Sequence, residues 1–67
     1  MEKNVNRIRE IRIARGIGLN ELARRCQISG AYVHDLELGN RRASRLVLVR
    51  IANELGVTVD ELTERAG

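Results

Sequence analysis

The chain has 67 residues with 43% hydrophobic and 31% charged side chains, which fits one globular domain and leaves little room for a deep substrate cleft. It has no proline, and Tyr32 is its only aromatic residue, so a sheet built on aromatic and β-branched runs is not expected. The net charge is +3, but residues 1–50 carry eleven basic and five acidic side chains, against one basic and four acidic in 51–67. All the basic residues except Lys3 are arginines, whose planar forks suit phosphate.

No apolar stretch approaches the ~20 residues needed to cross a bilayer, and Met1–Asn6 is too polar for a signal peptide. Cys26 is the only cysteine, which excludes an intrachain disulfide. These features predict a cytoplasmic protein of one domain, 1–67, with no membrane partner.

Glycines punctuate the chain, and helical patterns fall between them. The first helix is expected over about Val5–Arg15, with Val5, Ile8 and Ile11 on one face, and is broken by Gly16 and Gly18. The second is expected over about Leu19–Gln27, with the stripe Leu19, Leu22, Ala23 and Cys26. Cys26 on that stripe reads as a small core residue. The third helix follows Ser29, a good N-cap, and ends at Gly39, a good terminator. Val33 and Leu36 are expected inside, with Gly30, Ala31, His34, Asp35 and Leu38 outside.

The fourth helix follows Ser44 and stops at Gly56, with Leu48, Ile51, Ala52 and Leu55 as its core stripe. Thr58-Val-Asp-Glu61 spells a capping box and opens a short fifth helix, from which Leu62 can reach the core. The predicted fold class is therefore all-α, with five helices.

The stretch Leu19–Gly39 has the form of a helix-turn-helix, with its turn at Gln27-Ile-Ser29. The crossing of two such helices needs a small residue, supplied by Ala23. The turn needs an apolar residue, supplied by Ile28. Beyond this pattern, Ile8-Arg-Glu-Ile-Arg12, Arg15-Gly16, Glu21-Leu-Ala23, Ile28-Ser29, Tyr32-Val33, Leu36-Glu37, Gly39, Arg41, Ile51-Ala52, Leu55-Gly-Val57 and Glu61-Leu62 together resemble the Cro/C1-type helix-turn-helix family, also called lambda-repressor-like or Xre-like, over about residues 6–63. That resemblance implies the compact five-helix lambda-repressor-like fold, a structural ion pair between Arg12 and Glu37, and sequence-specific binding of double-stranded DNA with the third helix in the major groove.

Carried over by position, the base-reading candidates are Gly30, Ala31, His34 and Asp35. Ala31 can touch a thymine methyl, His34 can donate to guanine or phosphate, and Asp35 can accept from cytosine N4. At the start of the second helix the family often has Ser-Gln, where this chain has Gly18-Leu19; the backbone N–H groups there still suit a phosphate, and Asn20 takes part of the polar role. Leu19 and Asn20 join Arg41 and Arg42 of the loop after the third helix, and Arg45 after Ser44, as phosphate-binding candidates. Tyr32 either bonds a phosphate through its hydroxyl or packs over the turn. Leu46 and Val59 are candidates for the self-contact of a homodimer.

The resemblance implies a small prokaryotic or phage transcriptional regulator acting as a repressor. The alternative is a helix-turn-helix used as a protein-interaction or antitoxin-like module, favoured by Leu38, Asp35 and the bare start of the third helix. No catalytic residue, metal site, cofactor or small-molecule ligand is expected. Ser29, His34 and Asp35 supply the letters of a triad, but His34 and Asp35 lie about 100° apart on a helix, so Asp35 cannot orient His34.

Overall fold

The computed structural model describes residues 7–63. Five helices run in chain order: α1 (Ile8–Ala14), α2 (Leu19–Cys26), α3 (Gly30–Leu38), α4 (Arg45–Leu55) and α5 (Val59–Leu62). No strand occurs among the described residues.

The helix ends follow local chemistry. Ser29 Oγ accepts from the Tyr32 N–H at 3.0 Å and Ser44 Oγ accepts from the Val47 N–H at 3.2 Å, so α3 and α4 both start on hydroxyl caps. The capping box of α5 is complete: the Glu61 N–H donates to Thr58 Oγ1 and the Thr58 N–H donates to Glu61 Oε1. Gly39 and Gly56 end α3 and α4 with φ of 80° and 74°, a conformation that costs glycine little. Gln27 does the same job at the end of α2 with φ 61°, although it carries a side chain.

The first helix differs from expectation. It starts at Ile8 rather than near Val5, because Arg7 takes a non-helical cap conformation and its N–H donates to the Leu62 carbonyl at 2.7 Å. Val5 itself lies outside the described residues. At the other ends, Arg15 and Gln27 are caps one residue beyond the last helical turn.

The apolar stripes meet in one core. Ile8 and Ile11 of α1, Leu22, Ala23 and Cys26 of α2, Val33 and Leu36 of α3, Ile51, Ala52 and Leu55 of α4, and Leu62 of α5 are all buried. Leu19 and Leu48, expected in the stripes, are only half-buried and lie at the rim of this core. In this arrangement α2 packs on α3 and α4, α4 packs on α5, and α1 closes over α3 and α4. The turn between α2 and α3 is fixed by the Ile28 N–H, which donates to the Ala23 carbonyl at 3.0 Å while the Ile28 side chain packs against the core.

Two outcomes are expected from this core. Leu62 is fully buried although α5 is a single turn. Leu62→Ala is expected to cost about 2–5 kcal/mol, read as a drop in the urea midpoint. Burial first, and then the charge of Glu54, push the Cys26 thiol above its ordinary range, against the opposing pull of Arg50. The folded chain therefore holds this proton where the unfolded chain releases it. Stability from this group is intact below the ordinary thiol pKa and is lost as pH rises from there through the raised folded value. Cys26→Ala is expected to flatten that alkaline decline in pH-dependent unfolding.

Candidate nucleic-acid interface

The third helix is held in place by one charged fork. Arg12 Nε donates to Glu37 Oε2 at 2.6 Å and its Nη2 donates to Glu37 Oε1 at 3.1 Å. Arg12 Nη1 donates to the Ile17 carbonyl at 3.0 Å, so one guanidinium ties α1, the following loop and α3 together. Only 2% of the Glu37 side chain is exposed. The hydrogen bond to Glu37 lifts Arg12 above the ordinary arginine range, over the opposing effect of burial and with help from the Glu37 charge.

With Val33, Leu36 and Glu37 turned inward, α3 presents Ala31, His34 and Leu38 to the outside, and Asp35 is half-buried at the edge of that face. Leu38 is 54% exposed. The structure thus puts Ala31, His34 and Asp35 along one accessible surface.

Gly30 is placed differently from the expected outward position. It is half-buried at the crossing with α2, where a Cβ would run into Asn20 Oδ1 and reach 3.4 Å from Leu19 Cδ2. Its missing side chain leaves room for the Asn20 side chain beside the start of α3. Asn20 and Leu19 are therefore neighbours of the α3 N-terminus. At Gly18, the N-cap of α2, no side chain caps the helix, which leaves backbone N–H groups of the first turn available to an anion.

The loop after α3 brings a second group beside this face. The Arg41 guanidinium carbon stands 4.8 Å from the centre of the Tyr32 ring, a cation–π distance. Tyr32 is half-buried and packs against the core, while Arg41 is exposed. Arg42 and Arg45 are exposed and their side chains have no partner among the described residues.

Other arginines are occupied by the scaffold. Arg15 Nε donates to the Leu55 carbonyl at 2.8 Å and Arg50 Nη1 donates to the Cys26 carbonyl at 3.3 Å. Each thereby satisfies a carbonyl in the last turn of a helix distant in sequence. Arg25 pairs with Glu21 at 2.7 Å, and its other nitrogen is 3.9 Å from Glu54. The sequence reading missed Arg15, Arg50 and the Arg25–Glu54 contact. The i,i+4 spacing of Glu21 and Arg25 signals that pair alone, and no local spacing signals the three long-range contacts. The Tyr32–Arg41 contact was likewise invisible, since no helical period links a helix residue to a loop residue nine positions on.

Leu46 is 61% exposed on α4. Val59 is half-buried and packs against the core. No group of three or more His, Cys, Asp or Glu side chains gathers at a metal-binding distance among the described residues. Among the described residues, no helix is long and apolar enough to cross a membrane.

A buried two-helix unit joined by a tight turn, with an accessible second helix and arginines beside it, defines a helix-turn-helix DNA-binding domain. A family profile described as helix-turn-helix matches residues 8–62. The chain belongs to the Cro/C1-type helix-turn-helix family, a family of DNA-binding transcription regulators, and has the lambda-repressor-like fold.

Three relatives illustrate the likeness. The HTH-type transcriptional regulator DdrOP3 of Deinococcus deserti is 40% identical over 62 residues, covering 92% of this chain and 48% of that protein. The restriction-modification controller protein C.AhdI of Aeromonas hydrophila superposes with a TM-score of 0.78 at 31% identity, over 82% of this chain and 80% of that one. SinR, a master regulator for biofilm formation solved in complex with DNA, superposes with a TM-score of 0.75 at 28% identity, over 79% of this chain and 86% of that one. The chain spans about half the length of the curated relative it matches.

Removing the Glu37 carboxylate is expected to expose the role of the fork. Glu37→Ala leaves the Arg12 guanidinium buried with the Ile17 carbonyl as its remaining partner, and is expected to cost about 3–5 kcal/mol. The double variant Arg12→Met with Glu37→Leu is expected to recover most of that loss in chemical denaturation, because no uncompensated charge remains.

Proposed function

We propose that this domain binds double-stranded DNA sequence-specifically as a homodimer, with α3 in the major groove, and represses transcription by occupying a promoter-proximal site. The observation that carries this reading is the pairing of surfaces. The accessible face of α3 lies beside a loop whose arginines, Arg41 and Arg42, make no ion pair among the described residues, with Arg45 following at the start of α4. Arginines that serve the scaffold are engaged elsewhere. The likeness to SinR, solved with DNA, supports the same docking.

In this reading Ala31, His34 and Asp35 meet base edges. Ala31 offers a methyl to thymine, His34 donates to guanine N7 or O6, and Asp35 accepts from cytosine N4. Gly30 acts through packing, letting Asn20 and the α2 N-terminus reach the backbone. Arg41, Arg42 and Arg45 hold phosphates and supply most of the affinity. Leu46, with Val59 near it in role rather than in exposure, contributes to the self-contact of the dimer.

A second reading has one observation in its favour. Leu38 is a largely exposed apolar residue on the same face as Ala31 and His34, as a protein-interaction surface requires.

Selection from a randomised duplex pool at moderate salt separates the two. An enriched near-palindrome is the expected result, and complete failure to retain DNA favours the protein-interaction reading. Arg42→Ala is expected to weaken binding to every duplex alike. It should also lower the slope of log affinity against log salt by about one unit. A slope equal to that of the unmodified protein removes Arg42 from the phosphate contacts.

A further inference from the structure

Tyr32 has a hydroxyl that could itself bond a phosphate, and a ring that carries Arg41. The geometry favours the second use. The residue is anchored twice: its side chain packs against the core, and its backbone N–H donates to Ser29 Oγ at the start of α3. Arg41 emerges from a loop that begins at Gly39 in the left-handed conformation, and it has no carboxylate partner among the described residues. Its guanidinium carbon lies 4.8 Å from the ring centre.

We propose that Tyr32 is a positioning residue, a platform that seats the Arg41 guanidinium for a DNA phosphate. The inference rests on the DNA-binding reading above and adds to it the residue that prepares the phosphate contact. The contact with the ring spends no hydrogen bond of the guanidinium, so its N–H donors remain for an anion. The ring does not neutralise the charge, as a carboxylate partner would. A long side chain that is already placed loses less freedom when DNA arrives. The same contact holds the loop against α3, so the phosphate contact keeps a fixed distance from the base-reading face.

The chain provides its own reporter, because Tyr32 is its only aromatic residue. In the free protein, the near-ultraviolet circular dichroism band therefore belongs to this ring alone. Arg41→Ala is expected to change that band while the far-ultraviolet helical signal stays the same. Affinity is then measured for a mixed-sequence DNA duplex at fixed moderate salt. Tyr32→Phe keeps the ring and is expected to bind within about twofold of the unmodified protein. Tyr32→Leu is expected to bind about two- to fivefold more weakly, the scale of an exposed cation–π contact. In an Arg41→Ala background the same Leu substitution is expected to add nothing.

Tyr32→Phe binding as weakly as Tyr32→Leu overturns the proposal and assigns the effect to the hydroxyl. An unchanged optical band in Arg41→Ala, or additive effects of Tyr32→Leu and Arg41→Ala, also overturn it. If Tyr32→Leu loses its helical signal, Tyr32→Phe and the optical band decide by the same criteria. An unmodified protein that binds no duplex overturns the DNA-binding reading itself. That result is distinct from one in which the unmodified protein binds and only the variants disagree.

Discussion

The rest of the structure depends on the fork between Arg12 and Glu37. Glu37 is a carboxylate on α3 with almost no exposure, and a charge so placed needs its partner in one geometry. The fork therefore sets the roll of α3 about its own axis. With Val33, Leu36 and Glu37 on the inner side, the helical period of 100° per residue turns Ala31, His34 and Leu38 away from the core. The third donor of Arg12, to the Ile17 carbonyl, fixes the loop that leads into α2. A pair like this is better understood as a device for orientation than as a source of net stability.

The same chemistry, an arginine fork, is used for two opposite purposes. Arg15 and Arg50 reach across to the last turns of α4 and α2 and bond carbonyls there. They tie the C-terminal ends of α4 and α2 to segments distant in sequence. Arg42 and Arg45, with Arg41 on its aromatic seat, remain in solvent. The basic excess of residues 1–50 is thus not one surface. Part of it stitches the domain, and Arg41, Arg42 and Arg45 give the positive edge beside α3.

Gly30 and Ala23 show how small residues shape this edge. Ala23 is buried in the core of α2, and Gly30 opens α3 where Asn20 lies across it. The two helices can then approach closely at their shared end. A bare α3 start looks poor in base-reading groups when read as a string, but its smallness serves the packing that brings the α2 N-terminus alongside.

The amino-acid sequence by itself determined the five helices, the caps at Ser29, Ser44 and Thr58, the stops at Gly39 and Gly56 and most of the core, because hydroxyl caps, terminal glycines and apolar periods act within a few residues. Ser29, Ser44 and the Thr58–Glu61 box each do locally what their spacing implies. Arg12 and Glu37 were legible only through family resemblance, since nothing local links residues 25 apart. Tertiary structure alone decided that α1 begins at Ile8, where the Arg7 N–H finds the Leu62 carbonyl. It alone moved Gly30 from the outer face to a helix crossing, and it alone sorted the arginines into engaged and free. The physical reason is common to all three: a long arginine side chain, a backbone N–H at a helix start and a missing Cβ take their roles from whichever distant segment folds against them.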